Sequence, residues 1–234
     1  MIRLRRGIPQ SQLLDAVREF GEPFGYEEER GGALIHDVRP EAGYEGTQSS
    51  KGRAEFHAHT DCTFLPARYR PEFLSLYCIS NEAKAATLLW PVETLIAAID
   101  EKTLRILGQS RFVQHAPLTF GLEKPISAHR VLDGNRIAYS AQGTRPTDDE
   151  TAAALAVLEN TIQQTDPTRI VLEPGDLLVF SNQTALHGRE EIRGERWLRR
   201  IYLRRDVSAL RKDAATNRPN VFQASAVISQ PALR

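Results

Sequence analysis

The sequence has little cysteine, no surplus of either charge and no long apolar run, and each shortage closes off a class of protein. Two cysteines, Cys62 and Cys78, among 234 residues cannot build a disulfide framework or a cysteine-ligated zinc cluster. The 30 basic residues balance 30 acidic ones, so no overall field draws the chain to nucleic acid or to an anionic membrane surface. No stretch is apolar for long enough to span a bilayer. The opening MIRLRRGIPQ carries arginines without the apolar segment of a secretory signal. These absences lead to the expectation of a small-molecule partner, with neither nucleic acid nor membrane, in a reducing cytoplasm. What is present, 41% hydrophobic and 26% charged residues, suits one globular domain with a full core.

Periodicity along the chain is mostly that of strands. SQLLDAVREF (11–20) has helical spacing and ends at Gly21, and 32–38 reads as a strand closed by Pro40. The polar segment 41–53 has no apolar stripe, and its place before the first motif makes it a solvated loop or a lid. Glu55 to Asp61, FLSLYCIS (73–80) and AATLLW (85–90) read as strands, followed by helices from Pro91 and Glu101. Strand-like pieces fill 111–140. Thr147 to Glu150 forms a capping-box signature ahead of ALAVLENTIQQ, which assigns Asp148 and Asp149 to a helix start. IVLEPGDLLVFSN is strand, turn, strand, and RWLRRIYLRRD is a basic strand. Many short strands with a few peripheral helices predict a mainly β fold, a sandwich or jelly-roll barrel. The chain reads as a single domain over 1–234, with 207–234 an irregular C-terminal arm.

Within AEFHAHTD, His59 and Asp61 are two apart, so in a strand an imidazole and a carboxylate share one face. His187, in ALHGRE after a strand–turn–strand unit, is the best third ligand. Two histidines and one carboxylate holding one face of an octahedron suit non-haem Fe(II). Taken alone, H-x-D arises by chance and His59 reads as a surface or core histidine. The downstream strand weighs against that, because Arg196 and Arg200 are four apart and share a face. Two guanidiniums aimed into a barrel are costly unless carboxylates meet them. His57 could support the site but reads first as structural or exposed. His36, His115 and His129 have no motif context, and neither cysteine has a base partner.

The stretches LIHDVRP, HTDCTFLPARYRPEFLSLYCI, AATLL, LEPGDLLVFSNQTALHGR and RWLRRIYL, running from about residue 18 to about residue 205, carry a resemblance. In order and spacing the sequence resembles the taurine dioxygenase and clavaminate synthase group of Fe(II)/2-oxoglutarate oxygenases, which includes asparagine and arginine hydroxylases of peptide-antibiotic pathways. The resemblance implies a double-stranded β-helix (jelly-roll) core with His59, Asp61 and His187 as iron ligands. It implies that Arg196 and the Thr87 hydroxyl hold the distal carboxylate of 2-oxoglutarate. Arg200 would hold an acidic group of the substrate or share the cosubstrate, and Asn182 has a structural role first. O2 and 2-oxoglutarate would be consumed, with succinate and CO2 released as a C–H bond is hydroxylated. Asp61, where related halogenases carry a small residue, implies hydroxylation, desaturation or ring closure. The span from His187 to RWL is shorter than in the amino-acid hydroxylases, so a trimmed loop is expected at that end, and the chain begins later than is usual in the group.

The segment RVLDGNRIAYSAQG has Tyr139, Ser140, Ala141 and Gln142 where the arginine hydroxylases carry acids, which argues against arginine. A small amino acid or similar carboxylate, used in biosynthesis, is the expected substrate. Two rival readings use the same fold: a jelly-roll zinc hydrolase with the same three ligands, and a binding module without turnover. The first leaves Thr87 and the paired arginines unexplained, and the intact ligand set counts against the second.

Overall fold

Alternation along three long strands organises the molecule. In the computed structural model, which describes residues 1–117, 120–122 and 126–228, even-numbered residues of β5 (Phe73–Asn81), β13 (Leu177–Ser181) and β15 (Arg196–Arg204) enter one apolar cluster and odd-numbered residues another. Leu74, Leu76, Leu178, Phe180, Leu198 and Tyr202 face inward, whereas Phe73, Tyr77, Leu177, Val179, Ile201 and Leu203 face outward. Both faces are buried, which is why these segments read as nearly continuous apolar runs.

Seven strands form the larger sheet. β1 (Ile2–Arg5), β2 (Glu22–Tyr26), β3 (His36–Val38) and β16 (Val221–Phe222) join the three long ones in the order β1-β13-β5-β15-β2-β16, with β3 also pairing β15. The opposing sheet has four strands in the order β12-β6-β14-β4: β4 (Phe56–His59), β6 (Thr87–Pro91), β12 (Thr168–Ile170) and β14 (Ala185–Arg189). The main core lies between the sheets. Helix α1 (Leu13–Arg18) covers the outer face of the larger sheet through Leu13 and Val17. On the smaller sheet Leu88, Trp90 and Leu186 face outward against α2 (Val92–Ala97), α3 (Glu101–Leu107) and α4 (Asp149–Gln164). A three-stranded sheet of β7 (Phe112–Gln114), β8 (Ile126–His129) and β11 (Thr144–Pro146), and the pair β9 (Leu132–Asp133) with β10 (Arg136–Ile137), close one end. This is a mainly β fold with peripheral helices and a jelly-roll core.

Several sequence expectations change in detail. The Pro-Gly turn between β12 and β13 crosses from one sheet to the other, with Gly175 at a φ of 87° that only glycine adopts freely. The cap of α4 is Asp148, one residue later than expected, because its side chain accepts from the Thr151 backbone while the Thr151 hydroxyl receives the Asp148 N–H. The strand expected over 32–38 occupies only His36–Val38. After Val207 the described chain forms α5 (Ser208–Asp213), β16 and α6 (Ser225–Ile228), and buries Leu210, Phe222 and Val227 in the main core, so it is more ordered than an irregular arm. Part of the 111–140 reading, at 118–119 and 123–125, and the tail from 229 onward lie outside the described residues. Among the described residues no helix is long and apolar enough to cross a membrane.

Candidate metal centre

Adjacent strands β4 and β14 put His59 and His187 directly opposite each other in the register. Their neighbours Ala58 and Leu186 turn toward the helical layer, so both imidazoles point between the sheets. The Nε2 atoms lie 3.3 Å (His59) and 3.7 Å (His187) from Oδ1 of Asp61. One donor atom from each of the three lies within 4.8 Å of the others, and all three residues are buried. Nδ1 of His59 donates to its neighbour's carbonyl, His57 O, at 2.8 Å, which keeps the proton off Nε2 and turns that lone pair toward the other donors. The Phe56 ring stacks on His59 at 4.1 Å between centroids.

Asp61 reaches the cluster by a different route from the one expected. Strand β4 ends at His59, and Asp61 lies in the turn that follows rather than on the same strand face. Asn182 holds it there: its Oδ1 accepts from the Asp61 N–H at 2.8 Å, and its Nδ2 donates to the carbonyls of Asp61 at 3.0 Å and Pro71 at 3.2 Å. Burial pushes the Asp61 carboxyl up, but Arg200 and the two histidines pull it well below the usual carboxylate range. Burial, with His59 next, brings His187 down to about 3. An ionised carboxylate and a neutral imidazole are the states a metal ligand requires, so the donor set fits a divalent cation. Burial also drives the Cys62 thiol well above its usual value and Cys78 to about 11, which rules out ready thiolate chemistry at either.

Two cavities adjoin the cluster. The smaller, about 50 Å³, is lined by Leu76, Thr87, His187, Arg189 and Arg196 among others. Arg196 Nη2 donates to Thr87 Oγ1 at 3.0 Å, and both residues are buried. Its Nε has no partner, and burial, with Arg189 next, lowers its pKa to about 9. A buried guanidinium served only by a hydroxyl calls for an anion.

The larger cavity, about 160 Å³, has Glu29, Asp61, Phe56, Gln142 and Arg200 in its wall. Arg200 Nη1 donates to Asp61 Oδ2 at 2.8 Å and Nη2 to Glu29 Oε1 at 2.6 Å, and its guanidinium lies 4.5 Å over the Tyr202 ring. Oδ1 of Asp61 is thus left for the histidine side while Oδ2 is tied to Arg200. Burial raises the Glu29 carboxyl, but Arg200 and then His36 bring it below its ordinary value. Glu29 Oε2 and Arg200 Nε have no partners.

Ser50, in the 41–53 segment, lines both cavities. Gln142 Nε2 donates to the Gln48 carbonyl at 2.6 Å, so the two segments that could cover the site meet over it. His57 is exposed and contacts Gln48. Glu29 escapes sequence reading because it ends the run YEEER, which looks solvated. His36, read as structural, lies 3.0 Å from Arg200 Nη2. Arg189 had a signal in hindsight, since it follows His187 by two on the same strand.

A double-stranded β-helix with two histidines and a carboxylate converging between its sheets defines a class of mononuclear metal site. Residues 2–202 match the family described as "Taurine catabolism dioxygenase TauD, TfdA family", and the chain belongs to that family. It is 28% identical over 207 residues to an L-asparagine oxygenase of Streptomyces coelicolor, covering 83% of this chain and 61% of the relative. It is 28% identical over 219 residues to clavaminate synthase 2 of Streptomyces clavuligerus, covering 86% and 66%. The chain therefore spans just under two thirds of the length of these relatives. In fold it is similar to an asparagine oxygenase solved with Fe(II), 2S,3S-3-hydroxyasparagine and succinate, at TM-score 0.86 and 23% identity over 95% of this chain and 80% of that one.

Proposed function

We propose that this chain is an Fe(II)/2-oxoglutarate-dependent oxygenase that hydroxylates, desaturates or cyclises at an unactivated C–H bond of a small amino acid or related carboxylate, releasing succinate and CO2. The observation that carries the reading is the joining of two features: three metal-competent donors, and beside them a buried Arg196–Thr87 pair that lacks an anion. His59, Asp61 and His187 would hold the iron, and Arg196 with Thr87 the distal carboxylate of 2-oxoglutarate. Iron bound there would supply the one-electron and dioxygen chemistry that no side chain offers.

The protein's own part is binding, orientation and exclusion of water. Asn182 fixes the backbone of Asp61, and Arg200 fixes its outer oxygen. The wall of the larger cavity carries side chains of both signs, Glu29, Asp61 and Arg200, which suits the ammonium and carboxylate of an amino acid. Relatives named for asparagine, lysine, and ornithine or arginine agree with that class. A biosynthetic role in a reducing cytoplasm accords with two free, buried cysteines.

The test is anaerobic titration with Fe(II) and 2-oxoglutarate. A weak visible charge-transfer band is expected in the wild type and is expected to vanish in Asp61→Ala. Succinate release across an amino-acid panel then identifies the substrate. Absence of the band, together with Zn(II)-dependent hydrolysis, would establish the hydrolase reading instead.

A further inference from the structure

Arg189 is unlike the other cations of the molecule. It lies on β14 two residues beyond His187, is 5% exposed, and borders the smaller cavity together with Arg196. Its guanidinium is spent on backbone carbonyls: Nη1 donates to Gly52 at 2.8 Å, Nε to Glu190 at 3.1 Å, and Nη2 to Ala54. Two of those carbonyls belong to the end of the 41–54 segment. The same stretch carries Ser50 over both cavities. Its N–H groups at Gly52, Arg53 and Ala54 bond only within the segment, to Ser49 and Glu45. At its edge Arg53 Nη1 donates to the Gly194 carbonyl at 2.6 Å. The rigid planar fork of arginine holds several carbonyls in one fixed geometry, whereas a lysine ammonium is a point charge on a flexible stem.

The charges beside this clasp are unbalanced. Among the described residues no carboxylate forms an ion pair with either Arg189 or Arg196, and Arg196 Nε is without a partner. Two like charges share one buried wall and repel each other there. An anion between them would reverse that sign.

We propose that Arg189 is a positioning residue that clasps the 41–54 segment over the site, and that a dicarboxylate in the pocket it shares with Arg196 tightens the clasp. The inference rests on the 2-oxoglutarate reading above. It makes cosubstrate occupancy a stabiliser of the wall around the substrate cavity, through a residue that touches neither the metal nor the reacting carbon.

Hydrogen exchange read by mass spectrometry on peptides covering 41–54 tests this without turnover. The protein is loaded with Mn(II), and 2-oxoglutarate is added under argon, with its binding measured by calorimetry on the same sample. In the wild type, bound 2-oxoglutarate is expected to slow exchange at Gly52, Arg53 and Ala54 by roughly tenfold, within the range of one charge-assisted hydrogen bond. Arg189→Met is expected to lose that protection. Arg189→Lys, which keeps the charge but not the fork, is expected to bind 2-oxoglutarate and lose most of the protection. It carries the test if the methionine variant does not fold. Binding of 2-oxoglutarate with no change in wild-type exchange, or full protection in Arg189→Lys, overturns the clasp and leaves the oxygenase reading standing. No binding of 2-oxoglutarate to the wild type overturns both.

Discussion

Replacing Arg196 with methionine should damage function and spare the fold. Arg196 is 3% exposed, and among the described residues its one side-chain bond is to Thr87, its Nε is unpaired and the charge that acts on it most is another cation, Arg189. Without cosubstrate this guanidinium is a buried charge without compensation, and methionine of similar length relieves that cost. Replacing buried charge by apolar groups of like volume is neutral or stabilising by about 1–4 kcal/mol, less about 1 kcal/mol for the bond lost by Thr87. The ligand-free variant should therefore lie between about 1 kcal/mol below and about 3 kcal/mol above the wild type in urea unfolding, roughly 2–4 °C in Tm per kcal/mol. Affinity for 2-oxoglutarate should move the other way. Truncating one partner of a buried, hydrogen-bonded charge pair costs about 2–5 kcal/mol, so Kd should rise at least about 30-fold. Anaerobic calorimetry with Mn(II)-loaded protein gives the affinity. A variant destabilised by more than about 2 kcal/mol with unchanged affinity would make Arg196 a structural residue and refute the reasoning.

Three further perturbations probe the same interior. Thr87→Val keeps the shape and removes the hydroxyl that Arg196 holds at 3.0 Å, so 2-oxoglutarate should bind about 3- to 10-fold more weakly; unchanged affinity would separate Thr87 from the cosubstrate. Arg200→Met strands Asp61 and Glu29, its partners at 2.8 and 2.6 Å, and should cost the metal-free protein about 3–5 kcal/mol. Added Mn(II) should restore part of that loss, and an equal deficit with and without metal would argue against Asp61 as a ligand. For His129, burial and then Arg70 push the imidazole down to about 3, so the fold keeps it neutral while the unfolded chain takes up a proton below about pH 6.5. Its contribution is complete above about pH 6.5 and is lost as pH falls toward 3, at up to about 1.4 kcal/mol per pH unit. His129→Gln should therefore lose about 2 kcal/mol less than the wild type between pH 6.5 and 5 in urea titrations; parallel losses would show that the group is not buried neutral.

How much of this was legible depended on the range of the interaction. Alternation in 73–80, 177–181 and 196–204 gave the two-faced strands directly, and Asp148 needed only a one-residue shift of its cap. His59 and His187 were legible because a strand's period fixes where a side chain points. Asp61 comes together with His59 and His187 as expected but not by the expected route, since it stands beyond the strand and is placed by Asn182, 121 residues away. Glu29 could not be read at all. Its burial arises from β15 passing beside the turn after β2, and nothing in the run of acids at 27–29 separates the buried one from its solvated neighbours. For Arg189 the strand period placed the side chain on the His187 face, but its partners, backbone carbonyls that carry no residue identity, were not legible.

The charges of the interior link stability to function. Arg189, Arg196 and Arg200 line the two cavities together with Asp61 and Glu29, three positive charges against two negative, an excess of one among these groups. A dication held by His59, Asp61 and His187 would raise the excess to three. The two carboxylates of 2-oxoglutarate would return it to one, and a zwitterionic amino acid, with its ends on Glu29 and Arg200, would leave it there. On the proposed reading an order of loading follows from this balance: metal would increase the demand for a dianion, and the dianion would favour the wall held by Arg189. A fold chosen for stability alone would not bury Arg196 against a hydroxyl beside a second guanidinium. The excess charge of this interior is what the proposed dianion would offset.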